Sequence, residues 1–108
     1  DLERFLGLMG LARKAGRLKV GAAACRQALA RGEARLVVLA CDGSDRTQRT
    51  FQELAARAGV PVLCPAGKKQ LGHRLGCDEV AVTVITDPSL ARAVRQTAPG
   101  AGASKTRG

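Results

Sequence analysis

Apolar positions near the start of the chain recur with the period of a helix. Phe5, Leu8, Met9 and Ala12 stand at i, i+3, i+4 and i+7, which gives one buried face, and Gly16 is placed to end the element. The spacing predicts a first helix over residues 2–15. A short extended piece, Leu18 to Val20, leads to Gly21, after which Cys25, Ala28 and Leu29 return to helical spacing until Gly32, so a second helix is expected at about 22–31. The run Leu36-Val37-Val38-Leu39-Ala40-Cys41 is continuously apolar, β-branched and too short for a buried helix. It reads as a central strand covered on both faces.

Asp42-Gly43-Ser44-Asp45 then offers three candidate N-caps, followed by Phe51, Leu54, Ala55 and Ala58 in helical register and a stop at Gly59; a third helix is predicted over 45–58. Val60 to Pro65 reads as a short strand fenced by prolines, beginning at or just after Pro61, because a proline has no N–H to give to a sheet. A short helix at about 67–75 ends at Gly76, and Val80 to Thr86 is the last β-rich run. Asp87-Pro88 supplies an N-cap with proline at the first helical position, opening a helix of about 88–97. Residues 98–108, rich in Gly, Ala and Ser with two basic residues, read as a disordered basic tail. The alternation of five helices with four strands implies an α/β fold: a three-layer α/β/α sandwich around a mixed, mostly buried four-stranded sheet, with residues 1–97 as a single domain.

Length and composition narrow the function. A chain of 108 residues holds one core, burying roughly two thirds of its unfolded surface. No apolar run approaches the ~18 residues of a membrane span, and no signal-peptide pattern opens the chain, which predicts a cytoplasmic protein without membrane contact. Eighteen Lys and Arg against nine Asp and Glu give a formal charge of +9. Seven of those cations (Arg4, Arg13, Lys14, Arg17, Lys19, Arg26, Arg31) lie between Arg4 and Gly32 with no acid among them, a distribution that suits a polyanionic partner. With Phe5 and Phe51 as the only aromatics, there is no platform for stacking successive bases, which argues against single-strand readers that depend on one.

Sites for other chemistry fail on spacing. Five residues, not four, lie between Gly10 and Gly16, and Arg17-Leu18 follows, so they do not make the loop that cradles a nucleotide's phosphates. Gly7 and Gly10 do not form a dinucleotide fingerprint. Cys25, Cys41, Cys64 and Cys77 are widely separated with no C-x-x-C pair, the pattern of reduced cysteines that act as small hydrophobes rather than of a metal site. His73, the single histidine, reads as a surface residue on a basic helix, Asp42, Asp45 and Asp87 as helix caps, and Asp78 and Glu79 as loop residues. No catalytic residue, metal, cofactor or small-molecule substrate is expected.

The run from Gly7 to Gly21, Gly-Leu-Met-Gly-Leu-Ala-Arg-Lys-Ala-Gly-Arg-Leu-Lys-Val-Gly, resembles the opening of bacterial YlxQ-type proteins, which belong with the ribosomal proteins L7Ae and L30e. Three further stretches follow in the family's order: Ala34 to Asp42, Gly59 to Val62, and Lys68 to Gly72 running on to Gly76-Cys77-Asp78. The resemblance covers about residues 4–97. It implies the same sandwich and a monomeric protein that grips structured RNA, typically a ribosomal kink-turn.

 The implied protein is thus non-enzymatic, binds no cofactor, and works as a ribonucleoprotein component.

The site that the resemblance implies is built from the start of the second helix (Gly21, Ala22, Ala23, Ala24, with Gln27 one turn on), the cap after the central strand (Asp42), and the loop after the fourth helix (Cys77, Asp78, Glu79, Val80). Lys14, Lys19, Arg31, Lys68 and Lys69 add charge attraction for phosphate. The family's kink-turn readers carry Gly-Thr-Asn-Glu or a close variant at the second helix start, where Asn and Glu hydrogen-bond the edges of G·A pairs. Gly21-Ala22-Ala23-Ala24 offers backbone and close approach but no such side chains, so lower selectivity for a consensus kink-turn is expected. Glu79 adds a charge that RNA would repel. Two rival readings stand beside this one: a substrate-binding fragment of an RNA methyltransferase, and a protein-interaction module that has lost RNA binding.

Overall fold

The computed structural model describes residues 1–98, over which five helices and four strands alternate. The helices are α1 (Leu2–Lys14), α2 (Ala22–Ala30), α3 (Asp45–Ala58), α4 (Lys68–Leu75) and α5 (Pro88–Thr97). The strands are β1 (Leu18–Val20), β2 (Leu36–Ala40), β3 (Val62–Ala66) and β4 (Val82–Ile85). They form one mixed sheet in the order β1-β4-β2-β3, with β4 antiparallel to both neighbours and β3 parallel to β2.

Burial follows from this order. Every residue of β2 and β4, the two inner strands, is buried, whereas the edge strands β1 and β3 are only partly so. On one face of the sheet, Phe5, Leu6 and Met9 of α1, Leu71 and Leu75 of α4, and Ala91 and Val94 of α5 pack against Leu36, Val38 and Ile85. On the other, Cys25, Ala28 and Leu29 of α2 and Phe51 and Ala55 of α3 pack against Val37, Leu39, Val82 and Val84. Successive strand residues point to opposite faces, so the apolar residues of β2 and β4 serve both cores. Thr83 is the buried polar residue of the sheet, and its hydroxyl donates to the Val38 carbonyl at 3.1 Å.

Several details differ from the sequence expectations. β3 runs through Pro65 instead of stopping at it, because β3 is an edge strand and its register against β2 shifts between Val38 and Ala40, where the missing N–H costs no ladder bond. Ser44 caps α3, its hydroxyl oxygen accepting from Thr47 N–H at 3.1 Å, while Asp45 is the first helical residue. Ala98, grouped by composition with the tail, is buried at the end of α5, and the rest of that segment lies outside the described residues. Of the cysteines only Cys25 is buried; Cys77 is half-buried, and Cys41 and Cys64 are exposed rather than packed as small hydrophobes.

Candidate nucleic-acid interface

Strands β1, β2 and β3 all run in the same direction, opposite to β4. Their carboxyl ends therefore meet at one end of the sheet, and each is followed by a helix that starts there: α2 after β1, α3 after β2 and α4 after β3. The segment leading into β4 joins them. Three helix N-termini, each with partial positive charge, thus converge beside one loop.

Gly21 makes the turn into α2. Its φ of +97° lies where L side chains are strained, and a Cβ built there would meet nothing within 4 Å, so the turn is open to solvent. The Gly21 N–H donates to the Val82 carbonyl at 3.1 Å, which ties the turn to β4. No side chain caps α2 among the described residues, and its first turn carries no acid. Ala22 and Ala23 are exposed, and their small side chains leave the first amides of the helix accessible. Gln27 is exposed one turn beyond Ala23, on the same helix face. Lys19 is exposed on β1, and its carbonyl lies 3.5 Å from the Cys25 thiol. Burial pushes that thiol up to about 12, so it stays protonated.

The loop from Cys77 to Ala81 is held from several sides. Cys77 N–H donates to the Gly72 carbonyl at 2.8 Å, Val80 N–H to the Lys68 carbonyl at 3.1 Å, and Ala40 N–H to the Ala81 carbonyl at 2.9 Å. Val80 is buried in the core, while Asp78 and Glu79 are exposed. The loop lies so close to α4 that a Cβ at Gly72 would come within 2.6 Å of the Asp78 carbonyl oxygen and 2.9 Å of Glu79 Cα. Glu79 forms an ion pair with Lys68 at 3.8 Å, so the charge expected to repel RNA has a cation beside it. Lys69 is exposed at the start of α4.

The sequence-based site therefore divides. Gly21 to Ala24, Asp42, Lys68, Lys69 and Cys77 to Val80 gather at the carboxyl end of the strands. Asp42 also has a bracing role there: its carboxylate accepts from Lys68 N–H at 2.8 Å, which ties the end of β2 to the first turn of α4. Lys14, at the end of α1, lines a groove with Gly76, next to the loop. Arg31 does not join them, because it is the C-cap of α2 and stands about 15 Å along the helix from Gly21.

Sequence reasoning missed Arg13, whose guanidinium donates to Cys77 Sγ at 3.3 Å, and Gly72. In the sequence Arg13 is one cation of the acid-free basic run and Gly72 a glycine inside a helical stretch. The positive charge is also not confined to this end: Arg46, Arg49 and Arg57 are exposed on α3, and Arg92 and Arg95 on α5. Among the described residues, no three His, Cys, Asp or Glu side chains are grouped to hold a metal ion, and no helix is long and apolar enough to cross a membrane.

Known proteins share this arrangement. The model of the ribosomal protein L7Ae/L30e/S12e/Gadd45 family matches residues 3–95. A protein of unknown function from Bacillus halodurans superposes with a TM-score of 0.82 at 26% identity, covering 85% of this chain and 93% of its own. A 15.5kD RNA binding protein from Giardia lamblia superposes with a TM-score of 0.73 at 24% identity, covering 91% of this chain and 84% of its own, a likeness of fold. No curated protein sequence matches the chain.

Proposed function

The chain belongs to the ribosomal protein L7Ae/L30e/S12e/Gadd45 family, and from that premise we propose that it binds structured RNA, without catalysis, through the open N-terminus of α2 and the Cys77–Ala81 loop. The observation that carries this reading is the uncapped first turn of α2, with its exposed alanines, beside a loop pinned against α4. Amides at a helix N-terminus suit phosphate, and Lys19 and Lys69 extend the field around them. The Giardia lamblia protein of like fold is itself named for RNA binding.

Within the family, the Gly7–Gly21 run supports a place in the bacterial YlxQ-type branch. The RNA is then ribosomal and bent like a kink-turn, and the protein works as a cytoplasmic monomer. The side chains of Ala22 to Ala24 cannot hydrogen-bond base edges, so the bend is recognised through phosphate positions, with less selectivity for sheared G·A pairs than an Asn- and Glu-bearing turn provides. A titration against a kink-turn hairpin at several salt concentrations tests this. If about 4–6 phosphates are neutralised, log affinity falls against log salt with a slope of about −3 to −5. Lys19→Ala or Lys69→Ala lowers affinity for bent and unbent structured RNAs alike, whereas Ala23→Asn improves discrimination for the kink-turn. Affinity independent of salt refutes the reading.

A further inference from the structure

The face formed by α1 and α4 carries a second concavity, outside the surface just described. It is a groove of about 680 Å³ lined by Gly7, Gly10, Leu11, Arg13, Lys14 and Arg74, together with Leu75 and Gly76. We propose that this groove holds a single-stranded stretch of the RNA continuing from the α2 site, with phosphates against Arg13, Lys14 and Arg74 and one base over Leu11. The proposal rests on the RNA-binding reading above.

Charge selects an anionic occupant. Three cations line the groove, and the acid that meets them is Glu3, paired with Arg74 at 2.7 Å. From Arg4 to Gly32 the chain has no other acid. The groove is also continuous with the loop of the first site: Gly76 lines it, and Arg13 reaches from it to Cys77 Sγ at 3.3 Å. A strand leaving the loop meets these cations next.

The apolar part of the groove selects a nucleotide strand over a duplex or a peptide helix. Leu11, 53% exposed, is the large hydrophobic side chain left uncovered among the described residues. A single unstacked base can cover it, whereas a duplex keeps its base faces hidden. An amphipathic helix needs several anchors along one groove, and Leu75 is already 5% exposed in the core. The floor is left low as well. Cβ atoms at Gly7 and Gly10 would lie 3.8–3.9 Å from Arg74, ordinary contact, so internal packing does not demand glycine at either place. Both weaken α1 relative to alanine, and both leave room above the helix.

The test compares a blunt kink-turn hairpin with the same hairpin carrying a single-stranded extension of about six nucleotides at its 5′ or 3′ end. The wild-type chain is expected to bind one extended form about tenfold more tightly, with a salt slope steeper by about 1.5–2 for two or three added phosphates. Gly10→Leu fills the groove from the helix side and Leu11→Asp repels the strand from its lip; each removes the gain and leaves affinity for the blunt hairpin unchanged. Helical circular dichroism confirms that both variants are folded. Equal affinity for blunt and extended RNA, equal losses on both RNAs, or a groove that takes a glutamate-rich helical peptide but gives RNA no gain, overturns the proposal. Failure of the wild-type chain to bind either RNA instead sinks the reading on which it rests.

Discussion

Alanine at Gly72 would put a methyl group where the chain itself already lies. The new Cβ would stand 2.6 Å from the Asp78 carbonyl oxygen, 2.8 Å from its carbon and 2.9 Å from Glu79 Cα, all backbone atoms that cannot rotate away. Ordinary contact begins near 3.4 Å, so the loop must withdraw by roughly 1 Å. Withdrawal lengthens the 2.8 Å Cys77-to-Gly72 and 3.1 Å Val80-to-Lys68 backbone bonds and draws Val80 from the core. Overpacking of this kind costs about 1–3 kcal/mol, against about 1 kcal/mol regained from alanine's helix propensity. Gly72→Ala is therefore expected to lose up to about 2 kcal/mol in urea denaturation and to weaken RNA several-fold at temperatures where it is folded. Gly10→Ala is the control: its Cβ meets Arg74 at an ordinary 3.8 Å, so it should gain up to about 1 kcal/mol. If Gly72→Ala matches that control in stability and binds RNA like the wild type, the loop is not held by this contact and the reasoning fails.

Removing the carboxylate with Asp42→Ala leaves Lys68 N–H without its acceptor and should cost about 0.5–2 kcal/mol in chemical denaturation, whereas Asp42→Asn keeps an acceptor and should stay near wild type in stability and RNA affinity. Thr83→Val keeps the shape of the side chain but removes the hydroxyl that bonds Val38; a loss of about 0.5–1.5 kcal/mol is expected by the same measurement. Alkylation at pH 8 followed by mass spectrometry should modify Cys41 first, then Cys64, whose thiol is raised by burial and by the neighbouring Cys41, and should spare Cys25 until the protein unfolds. Because the folded Cys25 thiol titrates near 12 and the unfolded one near 9.0, its contribution to stability is complete below pH 9 and is lost as pH rises from there towards 12, which a pH series of denaturation midpoints checks.

The sequence was most legible where local chemistry brackets an element. Helix α3 is bounded by Ser44 and Gly59, and α5 by Asp87-Pro88, and both begin where their caps predict. β3 was less legible because the tolerance of Pro65 depends on its strand lying at the sheet's edge, which is a property of strand order. The same limit divided the site. Gly21 stood out as a turn because helical spacing resumes just beyond it, but the sequence neighbours of Asp42 gave no sign that its carboxylate would cross to α4, 26 residues away. Arg31 looked like part of a basic patch on a linear reading, although the nine-residue helix α2 carries it to the opposite end of that helix from Gly21. Arg13 was missed for the converse reason: its contact with Cys77 spans 64 positions.

Those corrections change where selectivity can reside. Asp42 is occupied by α4, Glu79 is paired with Lys68, and Ala22 and Ala23 have no polar side-chain atoms, so the proposed surface has few groups with which to read base edges. What it has is fixed geometry: helix amides bound to β4 through Gly21 and a loop pressed against Gly72. A rigid set of phosphate contacts discriminates between RNAs only by whether the backbone's path meets all of them at once, because a partial match loses whole contacts. On this reading selectivity is a property of the spacing between α2 and the loop, and loosening the loop should erode discrimination among RNA shapes more than it lowers affinity for any one of them. The reverse pattern, an equal loss on bent and unbent RNAs after Gly72→Ala, would mean that charge alone holds the partner.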